Sequence, residues 1–124
     1  MEKLNLFHQK IADVLMECAS KNEVISYGDL CDKVGFSNPR KMGAVLDPLT
    51  KLTYDSYGIF ISVLVVHSEN KYDELPMPGD GFFAMYNEKN PKNILGKEEI
   101  VKAQRELAFN QDWSGLLDLI RKNM

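Results

Sequence analysis

The sequence predicts a mainly helical fold with a small antiparallel sheet, and three observations carry that reading. Apolar residues recur at helical spacing in several stretches that open on capping residues. A β-branched run, IFISVLVV, occupies 59–66, and a shorter alternating run, GFFAMY, occupies 81–86 beyond a loop rich in proline and glycine. With 124 residues and 44% hydrophobic content the chain is read as one domain, 1–124, whose core needs neither disulfides nor a metal.

In the opening segment Leu4, Phe7, Ile11, Val14, Leu15 and Cys18 mark one side of a helix over about 5–19. Glu2, Gln9, Lys10, Asp13 and Glu17 are assigned to its wet side, and His8 to its surface or rim. Ser20, Lys21 and Asn22 make a turn, and Val24 and Ile25 an extended link. The stretch SYGDLCDKVGFSNPRKMGAVL, 26–46, then reads as two short helices joined tightly. Ser26 is an N-cap with Asp29 three residues later, and Tyr27, Leu30, Cys31 and Val34 form an apolar face ending at Gly35. Asn38 caps the second helix, Pro39 suits its first turn, and Met42, Val45 and Leu46 recur behind it. That outline is a helix-turn-helix.

Asp47-Pro48 is expected to stop or bend the second helix, with Leu49 and Leu52 continuing an apolar contact beyond. The 59–66 run is expected as a well-buried strand and 81–86 as its antiparallel partner, the two making a wing beside the helix pair. Between them 67–80 is a long loop containing Pro76, Pro78 and Gly79. Ile100, Ala103, Leu107 and Ala108 stripe the next helix, with Glu98 and Glu99 in its first turn. Asp112 is expected to cap a last helix faced by Trp113, Leu116, Leu117 and Ile120.

The net charge of -3 means that any surface for a polyanion must be a local patch. Cys18 and Cys31 are assigned to buried helical faces, with no Cys/His spacing for zinc, so no metal or cofactor is expected. The longest apolar stretch is far too short to span a bilayer and the first ten residues lack a signal peptide's apolar run, so a cytoplasmic protein without membrane contact is expected. The glycines form neither GxGxxG nor a P-loop. His67, at a strand end before Glu69, Asp73, Glu74 and Asp80, has some look of a site, but no nucleophile is placed by spacing.

Val24-Ile25-Ser26-Tyr27-Gly28-Asp29-Leu30-Cys31, then Gly35, then Arg40-Lys41-Met42-Gly43-Ala44-Val45-Leu46, and later PMPGDGFF at 76–83, occur in an order similar to that of the DNA-binding domain of the alkylguanine-DNA alkyltransferases and their non-enzymatic alkyltransferase-like relatives. The likeness covers roughly two thirds of the chain, through short motifs, and implies a winged helix-turn-helix fold that binds duplex DNA. It would place Tyr27 against a target phosphate and Arg40 in a vacated base stack, with Gly43 letting DNA approach and Lys33, Lys41 and Lys51 as phosphate contacts. Where the family has its reactive Pro-Cys-His-Arg this chain reads Ile61-Ser62-Val63-Leu64-Val65-Val66-His67, so the thiolate that alkyl transfer requires is missing and no catalytic residue is expected. Asp29, Asp32 and Asp47 crowd acidic charge around the motif. They keep open an alternative in which the scaffold binds a protein partner through the acidic 67–80 loop and the wing. A third class, an enzyme, would need His67 to converge with a carboxylate of the 73–80 loop.

Overall fold

A computed structural model describes residues 4–124; the assignment of Glu2 to the wet face of the first helix lies outside that range. Helices dominate: α1 (Leu6–Ser20), α2 (Tyr27–Val34), α3 (Pro39–Tyr57), α4 (Asp80–Lys89), α5 (Lys97–Asn110) and α6 (Leu116–Lys122). Two strands of two residues each, β1 (Ile25–Ser26) and β2 (Val65–Val66), form the sheet. Among the described residues no helix is long and apolar enough to cross a membrane.

α1 starts close to where the apolar spacing predicts, through a reciprocal cap. The Asn5 side chain accepts from the amides of Phe7 and His8, while His8 Nδ1 accepts from the Asn5 amide at 3.1 Å. This corrects the placing of His8 at the surface or rim. The ring is buried, and its Nε2 donates to the carbonyl of Val45 on α3 at 2.9 Å, so the imidazole pins α1 to α3. Of the two thiols, Cys31 is buried as expected and Cys18 only half-buried; both are free.

The α2–turn–α3 pair forms as read. Ser26 Oγ accepts from the Asp29 amide at 3.1 Å, and Gly35 takes the left-handed φ of 78° that closes α2. The Asn38 side chain accepts from the Arg40 amide at 3.2 Å to open α3. Asp47-Pro48, however, does not stop that helix, which runs on through Pro48 to Tyr57. A proline inside a helix costs about 3 kcal/mol. Here Met42, Leu46, Leu49, Thr50 and Thr53 keep one buried stripe running across it, and that tertiary packing outweighs the local penalty.

The expected antiparallel pair is absent. The 59–66 segment is completely buried, as its composition demands, but its middle is a 3-10 turn (Ile61–Leu64), leaving β2 alone as strand. β2 pairs parallel with β1, Ile25 beside Val65 and Ser26 beside Val66. Side chains replace a sheet ladder for the rest. Thr53 Oγ1 meets the Ile59 carbonyl at 2.7 Å and accepts from the Ile61 amide at 3.3 Å. Gln104 Oε1 accepts from the Phe60 amide at 2.9 Å, and Arg105 Nε donates to the Val63 carbonyl at 3.1 Å. With its backbone groups satisfied this way the segment threads the core without a partner strand, and tertiary context overrides β propensity.

The second expected strand, 81–86, is part of α4. Phe82, Phe83 and Tyr86 meet helical as well as alternating spacing, and six residues are too few for periodicity to decide. The ring of Phe60 decides it. Phe82 lies edge-on to it with centroids 6.0 Å apart, and Tyr86, one turn later, stands 5.4 Å away. The 81–86 segment therefore makes no wing. An isolated antiparallel bridge joins Val66 to Pro78, within the segment read as a loop.

α5 carries Glu98 and Glu99 in its first turn as expected, but its inner stripe is Ile100, Val101, Gln104, Arg105 and Ala108, with Ala103 and Leu107 exposed. The Asp112 carboxylate accepts from the Ser114 amide at 3.0 Å rather than capping the helix, and α6 begins at Leu116. Trp113 precedes that helix and donates from Nε1 to the Ala108 carbonyl at 2.9 Å, locking the α5–α6 corner.

Candidate nucleic-acid interface

Tyr27 is the first residue of α2, immediately after β1, and the pairing of Ser26 with Val66 sets Tyr27 beside His67. Their rings stand 5.5 Å apart, tilted by 45°. Pro39 and Arg40 open α3, and Gly79 and Asp80 open α4. These three helix starts, with the 3-10 turn Ser68–Asn70, surround an open cleft of about 460 Å³. Tyr27, Arg40 and Gly43 all line it, together with His67, Ser68, Glu69 and Asp80.

Two glycines shape the cleft in different ways. A Cβ at Gly79 would fall on the Tyr27 hydroxyl, so only glycine lets the ring lie against this backbone. Gly43 faces open space, with nothing within 4 Å of where its Cβ would be. No neighbouring helix therefore requires glycine at 43, and its effect is to keep the cleft wall low. Burial raises the Tyr27 pKa, hydrogen bonding from the Gly79 backbone opposes this, and the carboxylates of Asp47 and Asp80 add to the rise. The phenol stays protonated at neutral pH and keeps a donor for an incoming acceptor.

The charge of the cleft is mixed. Arg40 is exposed, and its guanidinium has no hydrogen bond or ion pair among the described residues. Glu69 and Asp80 oppose it, while the amide-rich starts of three helices contribute partial positive charge. Asp29 points its charge elsewhere. Its carboxylate pairs with Lys71 at 2.7 Å, which holds its pKa below the usual value and straps the 67–80 loop to α2.

The other expected phosphate contacts are not gathered here. Lys33 is exposed on a separate cleft between α1 and α2, beside Lys21 and Cys18. Lys41 borders an apolar groove of Phe7, Phe36 and Pro48. Lys51 is exposed eleven residues beyond Arg40, which returns it to nearly the same face of α3, roughly 16 Å along the axis. The residues that sequence reasoning missed are Ser68, Gly79 and Gly81, which reach the cleft through β1–β2 pairing and the start of α4. Reading 81–86 as a strand hid that helix start, although Gly79-Asp80 before an aromatic run is a recognisable N-terminal signal. His67 lines the cleft together with Asp80 and Glu69, with no hydrogen bond or ion pair to either among the described residues, whereas Asp73 and Glu74 are exposed outside it. Among the described residues no group of three or more His, Cys, Asp or Glu is arranged to hold a metal. No protein-family model, curated protein sequence or solved structure matches the chain.

Proposed function

We propose that this chain is a non-enzymatic DNA-binding protein of alkyltransferase-like type, which engages distorted or modified duplex through its helix-turn-helix pair without a β wing at 81–86. The observation that carries the reading is the meeting of Tyr27, Arg40 and Gly43 in one cleft at the starts of α2 and α3. A phosphate held there would accept from the Tyr27 hydroxyl and from helix-start amides, with Arg40 supplying the full positive charge. Lys51, on the same face of α3, extends the basic track, while Lys33 and Lys41 would touch DNA only at its margins. We place the protein in the cytoplasm, where the unpaired Cys18 and Cys31 stay reduced.

The test is fluorescence anisotropy with labelled matched, mismatched and alkylated duplexes at two salt concentrations. Binding is expected to weaken steeply with salt, and Arg40→Ala to weaken it by roughly tenfold and flatten the salt slope by about one ion. Indifference to both salt and Arg40→Ala would sink the reading. That outcome would favour a protein partner, for which one observation speaks: Tyr72 is 90% exposed at the tip of the 67–80 loop, beside exposed Asp73 and Glu74.

A further inference from the structure

On the far side of α5 the chain buries a charge that nothing answers. Arg105 is only 6% exposed, and its Nε donates to the Val63 carbonyl. None of its four remaining N–H donors has a partner among the described residues, and Nη2 is closed off from solvent. Burial alone lowers its pKa to about 10, with no acidic group contributing, so the guanidinium remains charged at neutral pH. A buried cation without a counter-charge is costly to keep, whereas a methionine of similar length would fill the space without that cost. The retained charge calls for an anion.

Arg105 also lines a pocket of about 350 Å³ between α5 and the turn after α1. Leu75 and Phe109 give this pocket apolar surface, Asn22 and Lys102 give it further donors, and Glu106 contributes one opposing carboxylate. The volume suits a small ligand. With Nε engaged and Nη2 closed off, Nη1 is the donor left to a ligand oxygen, and a carboxylate there gains a charge-assisted hydrogen bond. The Glu106 charge selects against dianions such as phosphate, and the apolar surface selects for a ligand with a hydrocarbon body.

We propose that this pocket is a binding site for a small monocarboxylic acid with an apolar body, its carboxylate accepting from Nη1 of Arg105. Benzoate and hexanoate serve as probes, with inorganic phosphate and sodium chloride at equal ionic strength as controls, in isothermal titration calorimetry and amide chemical-shift mapping on the full chain. Either acid is expected to bind at millimolar concentration or better and to shift amides at 105–109, while phosphate and chloride do not. Arg105→Lys keeps the charge but cannot hold the Val63 carbonyl and present a donor to the pocket at once, and is expected to weaken binding by about tenfold. Lys102→Ala, at an exposed position that leaves the fold intact, is expected to weaken it several-fold. The proposal is overturned if neither acid binds the wild-type protein, if phosphate or chloride gives the same response, or if Arg105→Lys binds like wild type.

Discussion

Replacing Phe60 by alanine is expected to lower the free energy of unfolding by about 3–5 kcal/mol and Tm by roughly 10 °C or more. The side chain is fully buried, and three other rings surround it. Tyr54 of α3 stacks on it at 4.4 Å, and Phe82 and Tyr86 of α4 meet it at 6.0 and 5.4 Å. Its own amide is held by Gln104 of α5. Truncation opens a cavity where three helices meet, and the hydrogen-bonded backbone on either side cannot collapse to fill it. Urea denaturation checks the value. Tyr72→Ala, at a 90% exposed position, should stay within about 0.5 kcal/mol of wild type in the same assay.

Thr53→Val is the second large effect, expected to cost about 2–4 kcal/mol even though the side-chain shape hardly changes. The hydroxyl accepts from the Ile61 amide and reaches the Ile59 carbonyl, so its loss strands a buried donor and a buried acceptor at the entry to the core segment. Thr50, one turn earlier on the same stripe, gives the opposite expectation. Its buried Oγ1 has no partner among the described residues, so Thr50→Val should be neutral or stabilising. The pair separates hydrogen-bond loss from packing, provided the urea m-values of both variants match wild type.

These two residues also show why part of the fold was hidden in the sequence. Local chemistry was readable: Ser26, Gly35, Asn38 and Pro39 mark the bounds of α2 and the start of α3 because each makes a bond, or avoids a clash, within a few residues. The state of the 59–66 segment depends instead on Thr53, Gln104 and Arg105, up to 44 residues away in sequence. A β-branched run specifies burial, and only those distant side chains determine that its backbone is served without a ladder. The same holds for 81–86, where Phe60 selects helix over strand. His8 was misplaced because its two bonds, one to its own cap and one to α3, are invisible to amphipathic periodicity.

The candidate site divides along the same line. Tyr27, Arg40 and Gly43 lie within one helix pair, and the structure keeps them together. Lys33 and Lys41 were assigned by residue type, and helical geometry turns them onto other faces. Gly79 enters from a segment more than fifty residues after Tyr27, through a contact that only the folded chain makes.

The proposed seat of duplex DNA is the Tyr27–Arg40 cleft. The most direct measurement is an amide chemical-shift titration of the labelled protein with a short duplex at low salt. Shifts at Tyr27, Gly28, Arg40, Gly43 and Ser68 are expected, and they should vanish together as salt is raised. Shifts confined to Tyr72, Asp73 and Glu74, or no shifts at any duplex concentration, would contradict it.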